Sequence, residues 1–286
     1  MGTAQVILLQ AVNTGAIIGI LILVSMGLAI IYGLMNVINL AHSEFIMLGA
    51  YGCVICRMLG WPVWSGFLVG TALVAVLSLI LERTLIRHWY QKPLNSLLGS
   101  WGISLILMQV VRIAFGSAPQ LVPTPIAGAF DIFGLPIAKY RLFVLVISFA
   151  LTGILLLVFR YPTFAVKTHA VLQDAEMARC LGIKSSRVYA VTFVVGGALA
   201  GLAGTLIAPM VTVAPEMGAV FLVRAFLTVV VGGVGQLVGV VGGAAVIGGT
   251  EGVVAYFSSG VLAQVLVLFL AIVIIRLRPQ GLFVRK

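Results

Sequence analysis

Long apolar runs, each about the length of a bilayer crossing, alternate along this chain with short polar breaks. A helix needs about 20 apolar residues to cross the hydrocarbon core. Runs of that order fall near residues 12–33, 40–58, 62–81, 95–115, 141–159, 188–210, 219–236, 238–257 and 261–276. The pattern predicts an all-α polytopic membrane protein, a single transmembrane domain over 1–286 with about 8–9 transmembrane helices, some of them broken. Glycines interrupt the last four runs, whose connections are very short. Two stretches are long enough to form structured loops. Residues 116–140 hold four prolines and little charge, and are expected outside; residues 160–187 are the most polar part of the chain, and are expected inside.

Composition sharpens this picture. Hydrophobic residues make up 62% and charged residues only 8%, with a mean hydropathy of +1.23, whereas soluble domains carry roughly a quarter charged residues. The first run lacks a basic n-region and a small-residue cleavage site, so it reads as a true span rather than a removable signal. The net charge of +10 does not come from a basic run, which argues against a nucleic-acid surface. Twelve of the 17 basic residues fall in one set of loops: Arg83, Arg87, Lys92, Arg160, Lys167, Arg179, Lys184, Arg187, Arg276, Arg278, Arg285 and Lys286. That side is the cytoplasm by the positive-inside rule, and nine spans then place the N-terminus outside.

Polar groups within the apolar pattern are the candidates for function. The stretch NVINLAHSEF brings Asn36, Asn39, His42, Ser43 and Glu44 between two spans. Asn39 is placed to cap the second span, with His42, Ser43 and Glu44 in or next to its first turn. A second break, VVVGGVGQLVGVVGG, holds Gly232, Gly233, Gly235 and Gln236. No Lys-Ser/Thr pair follows at the spacing of a phosphate loop, so nucleotide binding by that route is excluded. Both breaks are expected at the cytoplasmic end of an inward span followed by an outward one, which suggests a parallel internal repeat flanking a solute pathway. Helix capping and close packing are the plainer explanations of the same residues. Glu251 is the one acid in the closing apolar stretch; an intramembrane carboxylate is a pathway candidate, or is protonated or paired with a neighbour, for which Arg224 is a candidate expected nearer the outer side. Cys53 and Cys56 form a CxxC within an apolar run and read as small buried hydrophobes. The three histidines, His42, His88 and His169, are scattered, which speaks against an intramembrane enzyme.

Within the inner loop, Asp174 can cap a short helix over AEMARCL, and Gly182 can end it in the left-handed conformation. Met177, Cys180 and Leu181 share one face, Glu176 and Arg179 suit the helix dipole, and Ser185 is placed to cap the next span. Such a helix either lies on lipid or docks a soluble partner.

The segment AVLQDAEMARCLGIKSSRVYAVTFVVGGALAGLAG, with YGLMNVINLAHSEFIMLGAY, RLFVL, AFLTVVVGGVGQLVGVVGGA and RPQGLF in order, resembles permease subunits of ABC importers of the branched-chain amino acid and urea type. CLGI, APEMG and GGVGQLVG look closer to the urea branch. The resemblance implies an inner-membrane permease subunit, not an enzyme. It pairs with an identical or homologous permease and works with two cytoplasmic ATPase subunits and a periplasmic solute-binding protein. ATP and Mg²⁺ belong to the partner ATPase, with no cofactor on this chain. Asp174, Glu176, Met177, Ala178, Leu181 and Gly182 become the ATPase-coupling residues. Asn36, Asn39, His42, Ser43, Glu44, Gly232, Gly233, Gly235, Gln236 and Glu251 become candidates for the substrate pathway. Few charges inside the spans favour urea or a short amide as solute; the alternatives are a branched-chain amino acid and a passive channel.

Overall fold

The computed structural model describes residues 3–90, 92–132 and 135–283, so Arg285 and Lys286 lie outside the described residues. Eleven helices dominate these: α1 (Thr3–Met35), α2 (His42–Met58), α3 (Val63–Thr84), α4 (Pro93–Phe115), α5 (Lys139–Arg160), α6 (Pro162–Gln173), α7 (Ala175–Cys180), α8 (Ser185–Ile207), α9 (Met217–Gly232), α10 (Leu237–Phe257) and α11 (Gly260–Leu277). The outer loop departs from the all-helical pattern. Its strands β1 (Ala129–Ile132) and β2 (Leu135–Ala138) form an antiparallel hairpin, and Gln120 pairs with Val213.

Each of the nine apolar runs forms a helix, because backbone groups in hydrocarbon must be satisfied within their own segment. Seven of these helices are long and apolar enough to cross a membrane. The two others depart from the expected count of 8–9 full spans: α2 has 17 residues and α9 has 16. They rise about 26 and 24 Å, short of a core of about 30 Å. Non-helical chain, 36–41 before α2 and 208–216 before α9, leads into each short helix. Burial makes this tolerable for α2, where 13 of the 17 residues are shielded by neighbouring helices.

Helix α1 forms the centre: Ile20, Ile22, Leu23, Val24 and Met26 are essentially unexposed, and α5, α8, α9 and α10 pack around it. Beside it α2, α3 and α8 meet along glycines. A methyl group added at Gly204 would overlap the Ile46 carbonyl oxygen, and one at Gly49 would overlap that of Gly201. Lipid offers no hydrophobic drive for helix association, so close backbone approach through small residues supplies dispersion contacts instead. The peripheral helices leave Leu68, Ile113, Val146 and Phe269 exposed, as a lipid-facing surface requires.

Basic residues sit where α3, α5 and α11 end and where α4 and α8 begin, which defines the cytoplasmic end of a multi-pass membrane protein. The inner loop holds two helices where the sequence suggested one. Pro162 at the first turn of α6 explains its start, since proline lacks an N–H that this position cannot use.

Candidate functional site

The break between α1 and α2 reaches far deeper than its sequence suggests. Asn36 closes α1 with a positive φ of 50°, and α2 begins only at His42. His42 Nε2 lies 3.0 Å from the Val24 carbonyl oxygen. Val24 precedes the end of α1 by 11 residues, or about 16 Å of helix. Chain 36–41 therefore climbs back into the bundle, and α2 starts at mid-depth rather than at the cytoplasmic end. Asn39 does not cap it: Ala41 occupies that position without a side-chain bond, and both amide atoms of Asn39 are buried and unpartnered among the described residues.

Unwound backbone at membrane depth needs partners, and α4 provides them through serines one turn apart. Ser96 Oγ accepts from the Ile38 N–H at 3.2 Å, and Ser100 Oγ accepts from the Leu40 N–H at 2.9 Å. Ser104 Oγ donates to Glu44 Oε1 at 2.9 Å. The spacing matches: two extended residues cover about 6.6 Å and four helical residues about 6 Å. Ser96 and Ser100 are unexposed and Ser104 nearly so. This ladder is absent from the sequence expectations above, although the i, i+4, i+8 serines in PLNSLLGSWGIS are a visible signal in an apolar helix.

At the top of the ladder sits Glu44, only 2% exposed. Its Oε1 takes hydrogen bonds from Ser104 and, at 3.0 Å, from Ser43, while Oε2 has no partner among the described residues. Ser43 also lies 2.9 Å from the Leu40 carbonyl oxygen. The start of α9 closes this point, since a methyl on Gly218 would overlap the Ser43 carbonyl oxygen. Farther out along α4, Arg112 pairs with Glu216. That hydrogen bond holds Glu216, in the outer connection, below the usual carboxylate range.

The second break is of another kind. Residues 233–236 form a tight turn at the cytoplasmic end, with Gly233 and Gly235 at φ 106° and 80°, a region open to glycine. Gly232 packs against Gly239, and Leu282 N–H donates to the Val231 carbonyl at 2.8 Å. A methyl on Gly33 would lie 2.8 Å from Gly235 Cα, so this turn meets the foot of α1 near Asn36. Gln236, half-buried, begins the approach to α10. The two breaks thus differ in form and depth. Glu251 is paired: Arg224 on α9 reaches it at 2.6 Å, both side chains being mostly buried.

The inner helix follows its sequence closely. Asp174 Oδ1 accepts from the N–H groups of Glu176 and Met177 at 2.8 and 2.9 Å. Gly182 ends α7 at φ 81°, and Ile183 N–H returns to the Ala178 carbonyl. Met177, Cys180 and Leu181 are exposed, the last by 73%. Ala178, grouped with the coupling residues but outside that apolar face, is buried at 2% and seats the helix. Ser185 does not cap α8; its hydroxyl donates to the Ala175 carbonyl at 3.0 Å and ties α7 to α8. A cleft of about 1160 Å³ separates α7 from the end of α3, lined by Arg83, Arg87, Tyr90, Asp174, Glu176 and Arg187 among others. Burial and a hydrogen bond to Glu82 push the Tyr90 phenol well above its usual range.

A depth-penetrating break, polar groups buried beside it and an exposed apolar knob on the cytoplasmic side suit a transport subunit. No solved structure matches the chain significantly. Among curated proteins, the high-affinity branched-chain amino acid transport system permease protein LivH of Escherichia coli K12 is 28% identical over 92% of this chain and 91% of its own. BraD of Pseudomonas aeruginosa, of the same description, is 26% identical over the same shares. A probable branched-chain amino acid transport permease protein LivH of Methanocaldococcus jannaschii is 28% identical over 94% and 90%. Residues 10–276 match the family model described as branched-chain amino acid transport system / permease component, and the chain belongs to that family.

Proposed function

We propose that this chain is the inner-membrane permease subunit of an ABC importer for branched-chain amino acids. The observation that carries the reading is the extent of the family match, which covers residues 10–276 and so the whole membrane unit. Relatives described as branched-chain amino acid permeases align over nine-tenths of both chains. The preference for urea or a short amide finds no support among them, and the order of the two substrates reverses. A second permease, identical or homologous, would complete the pathway, and a periplasmic binding protein would deliver the solute. Two ATPase subunits would hold ATP and Mg²⁺, while this chain holds no cofactor.

In this reading the exposed face of α7, Met177 and Leu181, enters a groove on the ATPase. Asp174, Glu176 and Gly182 shape the helix, and Ala178 anchors it. Closure of the ATPase pair then reaches the spans as a rigid-body shift through α7 and α8. The polar groups from Asn36 to Glu44 flank the solute path at mid-depth; Gly232, Gly233, Gly235 and Gln236 shape its cytoplasmic foot. Glu251 acts through its pair with Arg224. The assay is uptake of labelled leucine into vesicles holding the complete transporter. Unlabelled leucine should compete and urea should not; urea uptake without leucine uptake would overturn the reading. ATP-independent uptake by the permeases alone would favour a passive channel.

A further inference from the structure

Resting on that reading of an amino acid importer, we propose that Glu44 supplies the counter-charge for the α-ammonium group of the solute in transit. Among the described residues the ion pairs are Arg112–Glu216, Arg179–Glu176 and Arg224–Glu251, and Glu44 belongs to none of them. A buried carboxylate without a cation is costly and seldom kept for stability alone. Two serine hydroxyls hold Oε1 in place, while Oε2 is left without a partner among the described residues. That arrangement leaves one enclosed acceptor without a donor, and an ammonium group brings three donors and a positive charge.

Position supports the same conclusion. Glu44 lies where α2 begins at mid-depth, beside the serine ladder and under the start of α9. Arg112 stands eight residues beyond Ser104 on α4, about 12 Å nearer the outside. The Arg112–Glu216 pair and then Glu44 form successive polar stations along one side of α4. A zwitterion leaving water loses hydration at both ends, and the ammonium end regains a charged partner at Glu44.

The test uses the complete transporter in proteoliposomes, scoring labelled leucine moved per ATP hydrolysed. Glu44→Gln should lower that ratio at least tenfold, and Glu44→Asp should retain a larger share. An unchanged ratio in Glu44→Gln overturns the proposal. A wild-type complex that moves no leucine overturns the functional reading instead. Carbodiimide labelling of the wild-type complex decides the matter independently of variant folding. Leucine-loaded binding protein with ATP should slow modification of Glu44 at least threefold, with Glu82 as the internal reference. Equal labelling of Glu44 with and without leucine shows an acid with a structural role only, and overturns the proposal.

Discussion

Replacing Ser100 by alanine removes the centre of the serine ladder and leaves the fold's apolar surface almost unchanged. Its Oγ accepts from the Leu40 N–H at 2.9 Å and lies 3.1 Å from the Ile38 carbonyl oxygen. Side-chain hydrogen bonds in membrane proteins average about 0.6 kcal/mol, because the unfolded state in the membrane also finds partners. Here the loss strands a backbone N–H in a buried, non-helical segment, which costs roughly 1–3 kcal/mol. The larger figure should win, since the helix that would otherwise satisfy Leu40 is absent at 36–41. Ser148→Ala is the matched control: that hydroxyl is equally buried but has no partner among the described residues. Equilibrium unfolding in mixed micelles should show Ser100→Ala about 1–3 kcal/mol below wild type. Ser148→Ala, which removes a buried hydroxyl without a partner among the described residues, should cost no stability. Equal losses in the two variants would refute the claim that the ladder bears the broken segment.

Other perturbations test other parts. Asp174→Ala removes both cap bonds of a six-residue helix. Such a helix is marginal alone and the cap is worth about 1 kcal/mol; amide exchange over 175–181 should accelerate and ATPase stimulation should fall, with the global unfolding midpoint unchanged. Gly204→Val drives side-chain carbons into the Ile46 carbonyl, so monodisperse protein should be lost; normal yield and midpoint would contradict the close α2–α8 contact. Glu216 is held below the usual carboxylate range by Arg112. A depressed folded-state value stabilises above the unfolded value and is lost as pH falls through the folded one. The wild-type midpoint should therefore drop more below about pH 4.5 than that of Glu216→Gln, and Arg112→Ala should remove the difference.

The apolar runs, the basic ends and the caps of the inner helix were legible in the sequence by itself, since each depends on local chemistry. Twenty apolar residues must be a helix in hydrocarbon, Asp174 can cap the helix that starts at its own carboxyl side, and Gly182 can adopt the turn that ends it. Family membership was also legible, through ordered motifs from the first span to the last. Tertiary structure alone decided depth and pairing. Nothing in NVINLAHSEF says that α2 begins beside Val24, that Asn39 is left uncapping, or that Glu44 faces Ser104, sixty residues away. Ala178 turned inward, and Arg224 found Glu251, for the same reason. A side chain's neighbours across helices depend on tilt and rotation, which close glycine contacts set and local propensity does not.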